Sequence, residues 1–229
     1  MANTLKKTLP WLLWIWIAAV ILGAFLYAPA AVGFRGSSRI LFFHVPMAWV
    51  SFLAFLTAGV QSLRYLYGGR DRRLDRSAAA AVELGLAFGV LATVTGAMWA
   101  KVMWGAYWNW DPRQTSILVA LLFYAAYLAL RAAIEDGEIR ARLAGAYAVL
   151  GLVVAPFLYF VMPRMAEFTL HPEPVVNSAG KVDMDGKMVL VLMASLVGFT
   201  VLFYWMHNLC CRIQELADRT TRSRGYTAP

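Results

Sequence analysis

The sequence predicts an all-α integral membrane protein of six transmembrane helices with a tryptophan-rich loop on its outer side. Three observations carry this. Of 229 residues, 61% are hydrophobic and 15% charged, against roughly 45–50% and 25% in a soluble globular domain. The mean hydropathy is positive, +0.60. The apolar residues fall into six long runs rather than into short amphipathic segments. A membrane helix needs ~20 apolar residues, so six spans and their connections use the whole chain. Residues 1–229 therefore read as a single six-helix transmembrane domain with a tryptophan-rich segment at 99–114.

The runs are Trp11–Val32, His44–Leu66, Ser77–Ala100, Gln114–Leu130, Leu143–Val161 and Met188–Leu209. Backbone polar groups in lipid must be satisfied within the segment, which makes each run a helix. The first run follows Lys6 and Lys7, and Ala28-Pro29-Ala30 resembles a cleavage site. A signal h-region is only ~7–15 residues long, so this longer run reads as an uncleaved first helix. Pro46 is expected in the first turn of the second helix, where proline is tolerated.

The formal charge is +8. In a soluble protein this balance would point to nucleic acid; here the cations lie between apolar runs and set orientation. The N-terminus, the connections 64–76 and 131–142 and the tail from Arg212 hold 14 of the 21 Lys and Arg. The segments 33–43, 101–113 and 162–187 hold the other seven, counted over Arg35, Arg39, Lys101, Arg113, Arg164, Lys181 and Lys187. Cytoplasmic loops carry the excess, so both termini are expected in the cytoplasm. All the unusual chemistry then lies on the opposite side.

The densest feature runs from Trp99 through Trp104, Tyr107, Trp108 and Trp110 to Asp111 and Arg113. An interfacial belt places one or two aromatics at a helix end; a packed cluster of flat amphipathic rings makes a platform for a large planar apolar ligand. His44 opens the second helix on the same side, and His171 lies in the loop after the fifth. Neutral imidazole is the usual side-chain ligand of iron, and two imidazoles can hold a haem iron from opposite faces. Zinc would ask for three or four clustered ligands. Arg39, Lys101 and Arg113 are placed to pair with carboxylates in charge-assisted bonds. Asp111 is placed to orient an indole N–H, Arg113 or the loop backbone.

Other polar residues read as structural. His207 is an interfacial group at the far end of the last helix. Glu83 sits two turns inside the third run and is expected to snorkel or to pair with Arg76. Gly85-x-x-x-Gly89 suits close helix packing. Cys210 and Cys211 are adjacent and form neither a redox dithiol nor a haem-attachment motif. No phosphate-binding G-x-x-x-x-G-K-[ST] is present.

The string Trp104-Gly-x-x-Trp-x-Trp-Asp-x-Arg113 resembles the tryptophan-rich signature of haem-handling membrane proteins. Arg39-Ile-x-x-x-His-Val-Pro-x-Ala-Trp49 and Thr169-Leu-His171 resemble the cytochrome c maturation protein C family (CcmC, haem exporter protein C). The resemblance implies a protein, not an enzyme, that presents haem b as transient cargo at the periplasmic face of the bacterial inner membrane. Its partners would be the haem chaperone CcmE, the ABC transporter subunits CcmA and CcmB and the small membrane protein CcmD. It implies His44 and His171 as axial ligands, with Trp104, Trp108, Trp110, Asp111, Arg39 and Arg113 forming the haem site. Gln114 resembles the cytochrome c synthase (CcsA-like) pattern instead, which gives the alternative of a synthase-type haem-handling subunit.

The charge asymmetry makes a direct prediction. Reporter fusions after Tyr226 and within residues 175–182 give opposite signals; matching signals refute the topology.

Overall fold

The computed structural model describes residues 2–31, 33–34, 36–172 and 184–225, with side chains between residues 8 and 220. Arg35, Glu173, Pro174, Lys181, Tyr226 and the side chains of Lys6, Lys7, Arg222 and Arg224 lie outside the described residues. Among the described residues, six helices are long and apolar enough to cross a membrane. Helix α1 (Ala2–Leu22) continues into a π-helical turn, Gly23–Tyr27. A 3-10 turn at Gly36–Ile40 leads into α2 (Leu41–Tyr67). Then come α3 (Arg72–Trp104) and α4 (Pro112–Ala133). Helix α5 (Gly137–Pro156) runs through a π-helical turn, Phe157–Val161, into the short α6 (Met162–Met165). Helix α7 (Gly186–Gly225) is the longest.

The six expected runs are all present. Five of the helices extend beyond them at both ends. The first is a correction: its helical structure stops at Tyr27, because Ala28, before Pro29, is extended, short of the expected end at Val32, which lies outside the described residues. Hydropathy marks the part of a helix that meets lipid; helical hydrogen bonding continues until a cap stops it. Asp71, Asp111 and Asp136 cap α3, α4 and α5, each accepting a backbone N–H two residues on. Helix α7 continues past Leu209 because Arg219 pairs with Glu215 at 2.7 Å and Asp218 with Arg76 at 2.9 Å. The second pair corrects one of the two expectations for Glu83: Arg76 serves Asp218 rather than Glu83, which stands exposed on α3.

Pro46 is another correction. It lies inside α2, because the helix starts at Leu41 and the 3-10 turn precedes it. Proline has no N–H, so the carbonyl four residues earlier loses its helical donor. That carbonyl belongs to Phe42, which is fully buried, and the Ser195 hydroxyl of α7 donates to it. A polar side chain from a neighbouring helix thus satisfies the freed backbone group.

Small residues set the helix spacing. The rings of Phe55 (α2) and Tyr124 (α4) stack at 3.5 Å, with planes 2° apart. Gly85 of α3 leaves room for this stack: a Cβ there would lie 2.6 Å from Phe55 Cε1. A Cβ at Gly151 of α5 would overlap the Tyr124 hydroxyl, which instead donates to the Gly151 carbonyl at 3.4 Å. Gly89 likewise admits Leu121 and Ser51, so the glycine pair of α3 is a packing device. Helix α1 lies at the edge against α7, with Trp16 Nε1 donating to the Ala194 carbonyl at 2.8 Å.

At the end holding the α2–α3 and α4–α5 connections, Asp75 and Arg131 form a bidentate ion pair at 2.6 and 3.1 Å, with both side chains largely buried. His207 joins α7 to α3 there, its Nε2 lying 2.9 Å from the Ser77 carbonyl. The other end holds the candidate site.

The Pro46–Ser195 relation is testable. Ser195→Ala leaves a buried carbonyl unpaired and is expected to cost ~1–3 kcal/mol, read as a lower thermal midpoint in detergent. Pro46→Ala restores the helical N–H, so in that background the same change costs clearly less.

Candidate functional site

Helix α3 ends at Trp104 because Gly105 takes the left-handed conformation, φ 80°, and its N–H bonds the Lys101 carbonyl. The chain then turns through Tyr107–Trp110 and enters α4 at Pro112, capped by Asp111. Proline suits the first helical position, where no N–H is needed. Trp110 has φ 56°, uncommon for a bulky residue. Gln114 holds this loop: it is buried, accepts the Asn109 N–H at 2.9 Å and donates to the Tyr107 carbonyl at 3.4 Å. Gln114 is thus a brace for the tryptophan loop.

Asp111 is the centre of the site. It is 5% exposed. Its Oδ1 accepts the Arg113 N–H at 3.0 Å and lies 2.6 Å from His171 Nδ1. Its Oδ2 accepts the Thr169 hydroxyl at 2.8 Å and the Leu170 N–H at 2.7 Å. The His171 N–H in turn reaches the Thr169 hydroxyl oxygen at 3.1 Å. One carboxylate therefore caps α4 and ties down the segment after α6. Burial alone would raise its pKa; the bonds from Arg113, Thr169 and Leu170 and the nearby His171 more than offset this and hold it below the usual range. For His171, burial pushes the pKa down, Asp111 opposes and Arg113 adds to the lowering, leaving it below the usual value. The pair at neutral pH is an ionised carboxylate and a neutral imidazole whose Nδ1–H donates. No described residue hydrogen-bonds Nε2, which keeps its lone pair.

His44 is arranged in the same way by other means. Its Nδ1 lies 2.9 Å from the Ala92 carbonyl and 3.2 Å from the Thr95 hydroxyl oxygen, both on α3. A carbonyl only accepts, so Nδ1 carries the proton in the neutral ring and Nε2 again holds the lone pair. Among the described residues no hydrogen bond reaches that atom. The two histidines and Arg113 lie within electrostatic range of one another, and the Arg113 guanidinium closes no ion pair with a described carboxylate.

The tryptophans divide into two groups. Trp99 and Trp104 pack edge to face at 5.0 Å, and the Trp104 and His171 rings meet at 4.8 Å. Trp99 also lies 6.2 Å from His171 and stacks on Phe34 at 6.1 Å. Trp108 and Trp110 pair with each other at 5.7 Å, and Trp110 is 69% exposed. Arg39 and Lys101 have local partners. Arg39 donates to the Phe25 carbonyl and sits 5.5 Å over that ring. Lys101 donates to the Gly105 carbonyl at 2.8 Å and lies 5.5 Å from the Tyr107 ring centroid.

Sequence reasoning missed the Asp111–His171 bond, the Thr169 bridge and the α3 seat for His44. The first joins residues 60 apart in sequence, which no local pattern reveals. The seat had a signal: Ala92, Thr95, Gly96 and Trp99 recur at helical spacing on one face.

Comparison with known proteins gives a consistent result. A family model described as "Heme exporter protein C" matches residues 1–225. A protein so named from Bradyrhizobium diazoefficiens is 32% identical over 219 residues, 95% of this chain and 82% of the relative. One from Rhodobacter capsulatus is 31% identical over 224 residues, covering 95% and 90%. One from Escherichia coli K12 is 34% identical over 147 residues, covering 64% and 57%.

Asp111→Ala removes the acceptor of the Thr169 hydroxyl, the Leu170 N–H and His171 at once, and an unsatisfied buried group costs ~1–3 kcal/mol. The expected result is normal membrane insertion with new proteolytic cleavage within residues 166–172. A parental cleavage pattern would refute the anchoring role.

Proposed function

Since this chain belongs to the haem exporter protein C family, we propose that it binds haem b as transient cargo at the periplasmic face of the inner membrane. It passes that haem to the chaperone CcmE during c-type cytochrome biogenesis, working with CcmA, CcmB and CcmD. The observation that carries the reading is the pair of histidines. Each commits Nδ1–H to a fixed acceptor, Asp111 for His171 and the Ala92 carbonyl for His44. Each keeps Nε2 for a metal. A second-shell acceptor on the far nitrogen is the usual way a ligating imidazole is oriented and made more basic.

His44 and His171 are then the axial ligands of the haem iron. Trp104, already against His171, covers the apolar macrocycle together with Trp99. Arg113, near both histidines and without an ion-pair partner among the described residues, receives a propionate. Arg39, on the turn before α2, is the second basic group at this end. Asp111 touches no cargo in this reading; it positions His171. The half-buried Trp108 and the exposed Trp110, paired in the loop before α4, form the surface offered to the chaperone. Both termini are cytoplasmic, as the 14-to-7 division of basic residues supports. No covalent chemistry is asked of the chain: it holds a planar ligand, orients its iron and releases it. The full-length match to the exporter family favours this over a synthase subunit.

Two measurements test it. His44→Ala and His171→Ala should each lower haem retention and move the ferric spectrum from low toward high spin, while His207→Ala leaves it unchanged at equal protein level. Parental spectra in both site variants would refute the ligand assignment. The double change of Trp108 and Trp110 to Ala removes two large apolar contacts, each worth roughly 1.5–3 kcal/mol when fully buried. At the lower end of that range the two together come to ~3 kcal/mol, on the order of a hundredfold in affinity. Covalent haem on the chaperone is expected to fall sharply while the protein accumulates normally; full loading would reduce the loop to a membrane anchor.

A further inference from the structure

We infer that Gly96 is a positioning residue for His44: the space its missing side chain leaves on α3 is where the imidazole lies. A Cβ at Gly96 would stand 2.8 Å from His44 Cε1, 3.3 Å from Nδ1 and 3.7 Å from Nε2. The first distance is shorter than atoms tolerate, so a methyl group and the ring in its present pose exclude each other. Gly96 has an ordinary helical φ, so the position needs glycine for room and not for backbone freedom.

The ring has no free retreat. Its Nδ1 is tied to the Ala92 carbonyl at 2.9 Å and to the Thr95 hydroxyl at 3.2 Å. The Thr95 hydroxyl is itself fixed by its bonds to the Leu91 and Ala92 carbonyls at 2.8 and 3.0 Å. Ala92, Thr95 and Gly96 form one seat, with two acceptors and one gap on a single turn of α3. A methyl at Gly96 pushes the ring off those acceptors. The tautomer is then no longer imposed, and Nε2 loses its fixed direction. Glycine in a helix interior is less favourable than alanine, and the seat explains why it is used here.

This inference rests on the reading of His44 as an iron ligand, and the test separates the two. The full-length protein is purified in detergent with haem and its ferric spectrum is recorded. Gly96→Ala is expected to lose the low-spin spectrum and to retain several-fold less haem, approaching His44→Ala. Gly186→Ala, where a Cβ meets nothing within 4 Å, serves as the control. If His44→Ala leaves the spectrum unchanged, the ligand reading fails. If His44→Ala loses it and Gly96→Ala keeps it, the seat fails alone.

Thermal stability of the haem-free protein keeps the idea testable if Gly96→Ala accumulates poorly. The methyl conflicts with the ring specifically, so Gly96→Ala should lower the midpoint with His44 present and not in the His44→Ala background. An equal loss in both backgrounds, or no spectral or thermal change in either, overturns the proposal. A third arm uses free imidazole, which should restore the low-spin spectrum of His44→Gly but not of His44→Gly with Gly96→Ala, where the methyl fills the space. Equal rescue of the two would also overturn it.

Discussion

A single buried carboxylate organises one end of this molecule. Asp111 caps α4 through the Arg113 N–H and accepts the Thr169 hydroxyl, the Leu170 N–H and the His171 ring. A carboxylate has room for about four such bonds, and here all are used. Burial works against the charge, and the donors reverse the balance. The rest of the site follows from this. With His171 held against α4, the Trp104 ring at the end of α3 has a surface to pack on. The loop between them is then confined, and Gln114 braces it from inside.

The second histidine is held by a different device. No described carboxylate pairs with His44; it uses a backbone carbonyl on α3, a threonine hydroxyl and the gap at Gly96. The two imidazoles thus reach the same chemical state, Nδ1 protonated and Nε2 available, through a charged partner in one case and a neutral one in the other. A hydrogen-bond acceptor on the far nitrogen of this kind fixes the tautomer and the direction of an imidazole.

The spans obey the demand that backbone groups in lipid be satisfied from within the protein. Ser195 donates to the carbonyl that Pro46 orphans, and Ser51 donates to the Gly85 carbonyl at 2.7 Å. Close approach between helices comes from glycine rather than from a hydrophobic drive, since lipid tails are as apolar as leucine. The Phe55–Tyr124 stack fits between Gly85 and Gly151. Such packing leaves the histidine-bearing start of α2 firmly set against α3.

Sequence by itself determined the class of the protein, the number of spans, the side of the bundle on which chemistry gathers and most of the residues there. Those properties are written in composition, run length and local strings, because hydropathy and the helical period act over short distances along the chain. The place of Pro46 within α2 and the partner of Arg76 are not legible in this way, since a helix start and an ion-pair partner depend on what packs alongside. Tertiary structure alone decided that Asp111 serves His171 across 60 residues, that Trp99 and Trp104 flank that ring while Trp108 and Trp110 stand apart, and that Gly96 makes room for His44. Each is a contact between elements distant in sequence. Its existence depends on how the helices are rotated and spaced, which is set by the packing of the whole bundle.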